Sequence, residues 1–164
     1  MITAVIIKLI LAIGLLIILY QDVKERAVWW FLFPLILLSA AWLHFQESIH
    51  EIFWQQILIN LMAFLIVFGF AFLYAVLKMK ADFLKEVIGL GDLLFFLALS
   101  FAFPTSTFVV VLVFSMIFSL ALHLVLNRKS KNASVPLAGY ASLFQIFIYL
   151  SNWTGIYNNL YQIG

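Results

Sequence analysis

Residues 2–26 read ITAVIIKLILAIGLLIILYQDVKER: an apolar run from Ile2 to Tyr20, broken by Lys8, that ends in Gln21-Asp22 and a charged cluster. About 20 apolar residues is the length a helix needs to cross the hydrocarbon core of a bilayer. An aspartate at the edge of such a span is costly unless it is solvated or used, so Asp22 stands out as a candidate functional group. The pattern returns, reversed, at Gly89-Leu90-Gly91-Asp92, where a second aspartate opens another apolar run.

Composition agrees with that opening. Of 164 residues, 66% are hydrophobic and 10% charged, which is too little charge for a water-soluble surface. The chain is expected to be an all-α polytopic membrane bundle in which residues 1–164 form one domain. No Cys is present, which excludes disulfides, thiolate metal sites and a cysteine nucleophile. The net charge of +2 gives no reason to expect a nucleic-acid partner; the expected surroundings are a lipid bilayer.

Hydropathy predicts about six spans, near Ile2–Tyr20, Trp29–Phe45, Ile57–Leu77, Leu90–Phe103, Ser106–Leu126 and Leu137–Ser151. Pro104 marks a tight turn between the fourth and fifth. Lys24 and Arg26 fall in the first loop, Lys78, Lys80 and Lys85 in the third, and Arg128, Lys129 and Lys131 in the fifth. By the positive-inside rule these loops are cytoplasmic and both termini are not. Lys8, the exception, is expected to snorkel to the interface. Without small residues near Tyr20-Gln21-Asp22, the first span does not read as a cleaved signal peptide. The outer segment Gln46–Gln56 is expected to lie along the interface, and the tail Asn152–Gly164 to form an aromatic belt.

Elimination narrows the chemistry. His44, His50 and His123 show no His-Glu-x-x-His spacing, so neither a metal site nor any cofactor is expected. No Gly-x-Ser-x-Gly elbow occurs, and no dinucleotide or phosphate-loop fingerprint. The aspartates are Asp22, Asp82 and Asp92. Asp22 and Asp92 sit at the same membrane face, and helices packed about 8–10 Å apart bring such groups together. Two adjacent carboxylates cannot both ionise cheaply, so one serves as base towards water while its partner serves as acid. Gly89 and Gly91 remove side chains where the backbone enters the membrane and where a substrate strand would approach. The plainer readings are a helix N-cap for Asp92, a solvated loop for Asp22, a water-exposed basic loop for Asp82 and a packed or interfacial ring for His123.

At these residues the chain resembles the type IV prepilin peptidases, membrane aspartyl proteases of the Gly-x-Gly-Asp class. Asp22 with Arg26 is similar to the family's first aspartate and the basic residue after it. Gly89-Leu90-Gly91-Asp92 is similar to its central motif, and Val135-Pro136 to a Pro-containing segment before its last span. The resemblance implies a plasma-membrane enzyme of a bacterial or archaeal cell. It would cut the basic leader peptide of a prepilin-like or pseudopilin-like membrane protein at the cytoplasmic face, with Asp22 and Asp92 catalytic and Gly89, Gly91, Arg26 and Pro136 in support. Three departures stand beside it. Val28-Trp29-Trp30 replaces an Ile-Pro-Asn, Leu94 replaces a Lys, and the N-terminal extension with paired Cys motifs is absent. The last implies a peptidase without N-methyltransferase activity. The motif also resembles presenilin-type enzymes, whose first aspartate lies deeper in its span.

Two other classes compete. A catalytically inactive relative would serve as a membrane assembly factor, and a small proton-coupled transporter would place its carboxylates near the bilayer midplane. A further expectation is that the loop Lys78–Leu90 moves to admit substrate. The oligomeric state is left open.

Overall fold

The computed structural model describes residues 2–79, 89–126 and 135–161. Among them are six α-helices and no strand: α1 (Ile2–Glu25), α2 (Leu32–Glu47), α3 (His50–Tyr74), α4 (Leu90–Leu99), α5 (Thr105–Leu126) and α6 (Leu137–Trp153). A π-helical turn, Ala75–Met79, extends α3. By length and composition α1, α5 and α3 as far as Lys78 are able to cross a membrane. With its shorter apolar helices the chain is a membrane helix bundle. Asp82 lies outside the described residues. So do Lys80, Lys85, Arg128, Lys129 and Lys131, and with them most of the expected moving loop.

Each helix turns one stripe inward and the rest outward. On α1, Leu11, Gly14, Leu15, Ile18 and Gln21 are buried, the three- and four-residue spacing of one helical face. Between them Ile13 and Leu16 are more than half exposed. Such outward apolar chains are at home against lipid and would be costly against water. The core gathers Leu11, Leu15 and Ile18 with Phe33, Ile36 and Ala40 of α2, Phe95 and Phe96 of α4, Phe108 and Leu112 of α5, and Ala141 and Tyr149 of α6. Packing is densest between α6 and α1, with α2 on the far side of α1 and α5 on the far side of α6.

Three boundaries differ from the hydropathy reading. Helix α1 continues past Tyr20 to Glu25, so Asp22 projects from its last turn and not from a loop. The outer segment is not a separate interfacial piece: α2 runs to Glu47, α3 starts at His50, and Phe53 and Gln56 are buried. Helical hydrogen bonding persists where hydropathy has already fallen, because these polar residues find partners. The tail also folds back over the bundle. Leu160 is buried, its carbonyl accepts from Thr107 Oγ1 at 3.1 Å, and Tyr161 stacks against His44 and Phe103.

At that end of the bundle the polar groups serve the backbone. Asn60 Nδ2 donates to the carbonyls of Ser100 and Phe103, each at 2.9 Å. His44 Nδ1 donates to the carbonyl of Phe101 at 3.1 Å, and its Nε2 lies 3.1 Å from the Gln56 side-chain amide. The last carbonyls of α4, Phe96 to Leu99, accept from the amides of Ser100, Phe101 and Ala102. The turn that follows carries the carbonyls of Ser100, Phe101 and Phe103, and in lipid such groups must be met from inside the protein. His44 and Asn60 meet them, which ties the turn after α4 to α2 and α3.

Candidate active site

The other end of α4 carries Asp92, in its first turn. One carboxylate oxygen, Oδ2, accepts from the Gly89 N–H at 3.3 Å, as a capping residue would. The other, Oδ1, reaches out of the helix and accepts from the backbone N–H of Ala138 at 2.7 Å. The next amide along, Gly139 N–H, donates to Asp22 Oδ2 at 2.6 Å. Consecutive amides of α6 therefore gather carboxylates from α1 and α4 that are 70 positions apart in the chain.

The start of α6 explains why this happens. A helix leaves its first amides without partners. Pro136, at the N-cap position, has no N–H to satisfy, and Tyr140 N–H already reaches the carbonyl of Pro136. The donors left over at Ala138 and Gly139 are those the two acids take. The positive end of the α6 dipole adds to the attraction for an anion.

Gly139 is also a matter of space. A Cβ built there would stand 3.1 Å from both Cβ and Oδ2 of Asp22 and 3.3 Å from Val23 Cγ2. Any larger residue would press directly on the carboxylate. At Gly89 a Cβ would meet Asp92 Oδ2 at 3.2 Å. Gly89 has φ −65° and ψ 148°, which every residue adopts, so its value here is room and not backbone freedom. Gly91 lies inside the first turn of α4, where a methyl would meet Phe33 at an ordinary 3.5 Å. Leu94, one turn further, packs against the core.

Both carboxylates are half-buried, and the charge of Asp22 acts on Asp92. The positive charge of Arg26 acts on both. Arg26 follows the end of α1 with φ 54°, a left-handed conformation that costs a non-glycine residue about 1–2 kcal/mol. The connection to α2 is held by Gln21 Oε1, which accepts from Trp29 N–H at 3.1 Å. Trp29 and Trp30, where the sequence departs from the expected pattern, are exposed at this rim. His123 packs near the Tyr140 ring.

Asp22, Asp92, Gly89, Arg26 and Pro136 thus meet around the start of α6, with Gly91 a turn inside α4. The sequence reading missed Ala138 and Gly139. Their signal was Pro136 followed closely by two small residues, the mark of a helix start that another group approaches. Among the described residues no three His, Cys, Asp or Glu stand together as metal ligands. A groove of about 850 Å³ between α5, α6 and the tail is lined by Val110, Phe114 and Phe147. It lies at the opposite end of α6 and brings no carboxylate to the scene.

No curated protein and no solved structure matches the chain. Residues 9–124 do match a known family, and that stretch holds Asp22, Arg26 and the whole Gly-x-Gly-Asp motif while stopping short of the α6 amides. With the match running through five of the six helices, the chain belongs to the type IV leader peptidase family.

Proposed function

We propose that the chain, acting as a single domain over residues 1–164, is a membrane aspartic endopeptidase with Asp22 and Asp92 as its catalytic pair. Its substrate is a prepilin-like or pseudopilin-like membrane protein, cut behind a basic leader at the cytoplasmic face. Both termini lie on the other side of the plasma membrane. The observation that carries this reading is the capture of both carboxylates by the adjacent amides of Ala138 and Gly139.

The chemistry follows from a shared proton. The ionised member of the pair takes a proton from water as the water oxygen attacks the peptide carbonyl carbon. The protonated member gives its proton to the carbonyl oxygen. Collapse of the tetrahedral intermediate then expels the amine, which leaves with a proton from the pair. Assignment of acid and base belongs to the pair and not to either residue. Arg26 tempers the joint negative charge, Gly89 and Gly139 leave room for the carboxylates, and Pro136 frees the turn for amides that donate outward. Gly91 keeps the approach to Asp92 low for an extended substrate strand. A basic leader is drawn towards the acidic pair.

Co-expression with pilin-like candidates, read by mass spectrometry of leader removal, tests the proposal. Wild type is expected to shorten its substrate while Asp22→Asn and Asp92→Asn leave it intact. A well-inserted wild-type protein that cleaves none of several candidates would overturn the peptidase reading.

A further inference from the structure

Lys8 is a cation early in an apolar span, expected from the sequence to snorkel to the interface. In the fold its ammonium lies 5.6 Å from the centre of the Trp153 ring, a cation–π distance. It lines a pocket of about 210 Å³ together with Trp42, Glu47, Asn152 and Tyr161. Glu47 ends α2 and Trp153 ends α6, so the pocket marks the edge of the bundle remote from the carboxylates. Along α1 it stands about 21 Å from Asp22 at 1.5 Å per residue.

The pocket is chemically two-sided. Lys8 and Glu47 carry opposite charges on one lining, yet no ion pair joins them: Lys8 spends its charge on a ring. The Tyr161 hydroxyl is buried without a hydrogen-bond partner. Burial, and then the Glu47 charge, push its phenol well above the ordinary range, so it stays a proton donor. A buried hydroxyl without a partner costs free energy until something accepts from it. Trp42 and Trp153 also line it, and tryptophan is enriched at the membrane–water interface.

We propose that this pocket binds the zwitterionic headgroup of a phospholipid carrying a primary ammonium, phosphatidylethanolamine in kind. Lys8 and Tyr161 donate to the phosphate oxygens, and the lipid ammonium donates to Glu47. The lipid, and not a soluble zwitterion, is the occupant, because α1 brings Lys8 and Ala4 to the pocket wall from a helix whose outer face is apolar. The site is separate from the carboxylates and stands whether or not the peptidase assignment does.

The test is native mass spectrometry of the whole protein released from bilayers of equimolar phosphatidylethanolamine, phosphatidylcholine and phosphatidylglycerol. Wild type is expected to retain phosphatidylethanolamine about tenfold over the other two, the worth of one charge-assisted hydrogen bond. Phosphatidylcholine has no N–H to donate, and phosphatidylglycerol has no cation. Glu47→Gln should erase the preference over phosphatidylglycerol, and Lys8→Gln should lower retention of all three. Equal retention of the three lipids by wild type would overturn the proposal, and that comparison needs no variant to fold. A preference unchanged in Glu47→Gln would overturn it as well.

Discussion

The turn after α4 and the start of α6 face the same physical demand, backbone groups that lack partners, and answer it differently. After α4, the carbonyls of Ser100, Phe101 and Phe103 are met by the side chains of Asn60 and His44. At the Asp92 end, orphan amides of α6 are met by two acids. Asparagine or serine would cap those amides with no charge to bury. Two carboxylates held within one helical turn repel each other, and they cost stability that neutral caps would not. The difference teaches that satisfying the backbone is reason enough for His44 and Asn60, while Asp22 and Asp92 bring charge that the task does not require. On the proposed reading, what the acids add is a proton that moves.

Substitutions sharpen the contrast by separating activity from stability. Asp22→Asn keeps an oxygen that accepts from Gly139, so unfolding stability should stay within about 1 kcal/mol of wild type. Single-turnover leader cleavage should nevertheless fall about 10⁴-fold, the scale for losing one member of a catalytic unit. Gly139→Ala comes next. Its Cβ forces Asp22 aside, and a displacement of that order lowers the cleavage rate about 10²-fold while the helix forms normally. KM for the precursor should change less than the rate, since the methyl acts on the Asp22 carboxylate.

The other end should behave in the opposite way. Asn60→Ala strands the carbonyls of Ser100 and Phe103 and should destabilise the protein by about 1–2 kcal/mol. Denaturant unfolding in micelles reads that loss, and cleavage per folded molecule should remain at the wild-type level. The smallest effect belongs to the backbone of Arg26. Arg26→Gly and Arg26→Ala both remove the charge, and the glycine variant should be more stable by about 1 kcal/mol because it alone accepts φ 54°. Equal stability of the two would mean that the left-handed turn relaxes at no cost.

Much of the site was legible because acids are rare in an apolar chain. Asp22 and Asp92 announce themselves by cost, and Pro136 by its place before a span. Helix ends were less legible. Hydropathy falls at Tyr20 and rises only at Ile57, yet α1 runs on to Glu25 and α3 has begun by His50, since backbone hydrogen bonds do not stop where side chains turn polar. Ala138 and Gly139 were harder to read for a different reason. They act through amides that every residue has, and only the approach of Asp22 makes the missing Cβ of Gly139 matter. The return of the tail onto His44 and Phe103 depends on tertiary packing that no local pattern encodes.

The central claim is that the acids at the start of α6 perform chemistry and do not merely cap a helix. Purified Asp92→Asn in nanodiscs tests it most directly, with thermal unfolding and precursor cleavage measured on one sample. The expected result is a melting transition close to wild type and no detectable leader removal. Cleavage within tenfold of wild type by the folded variant would contradict the claim and leave Asp92 as a cap.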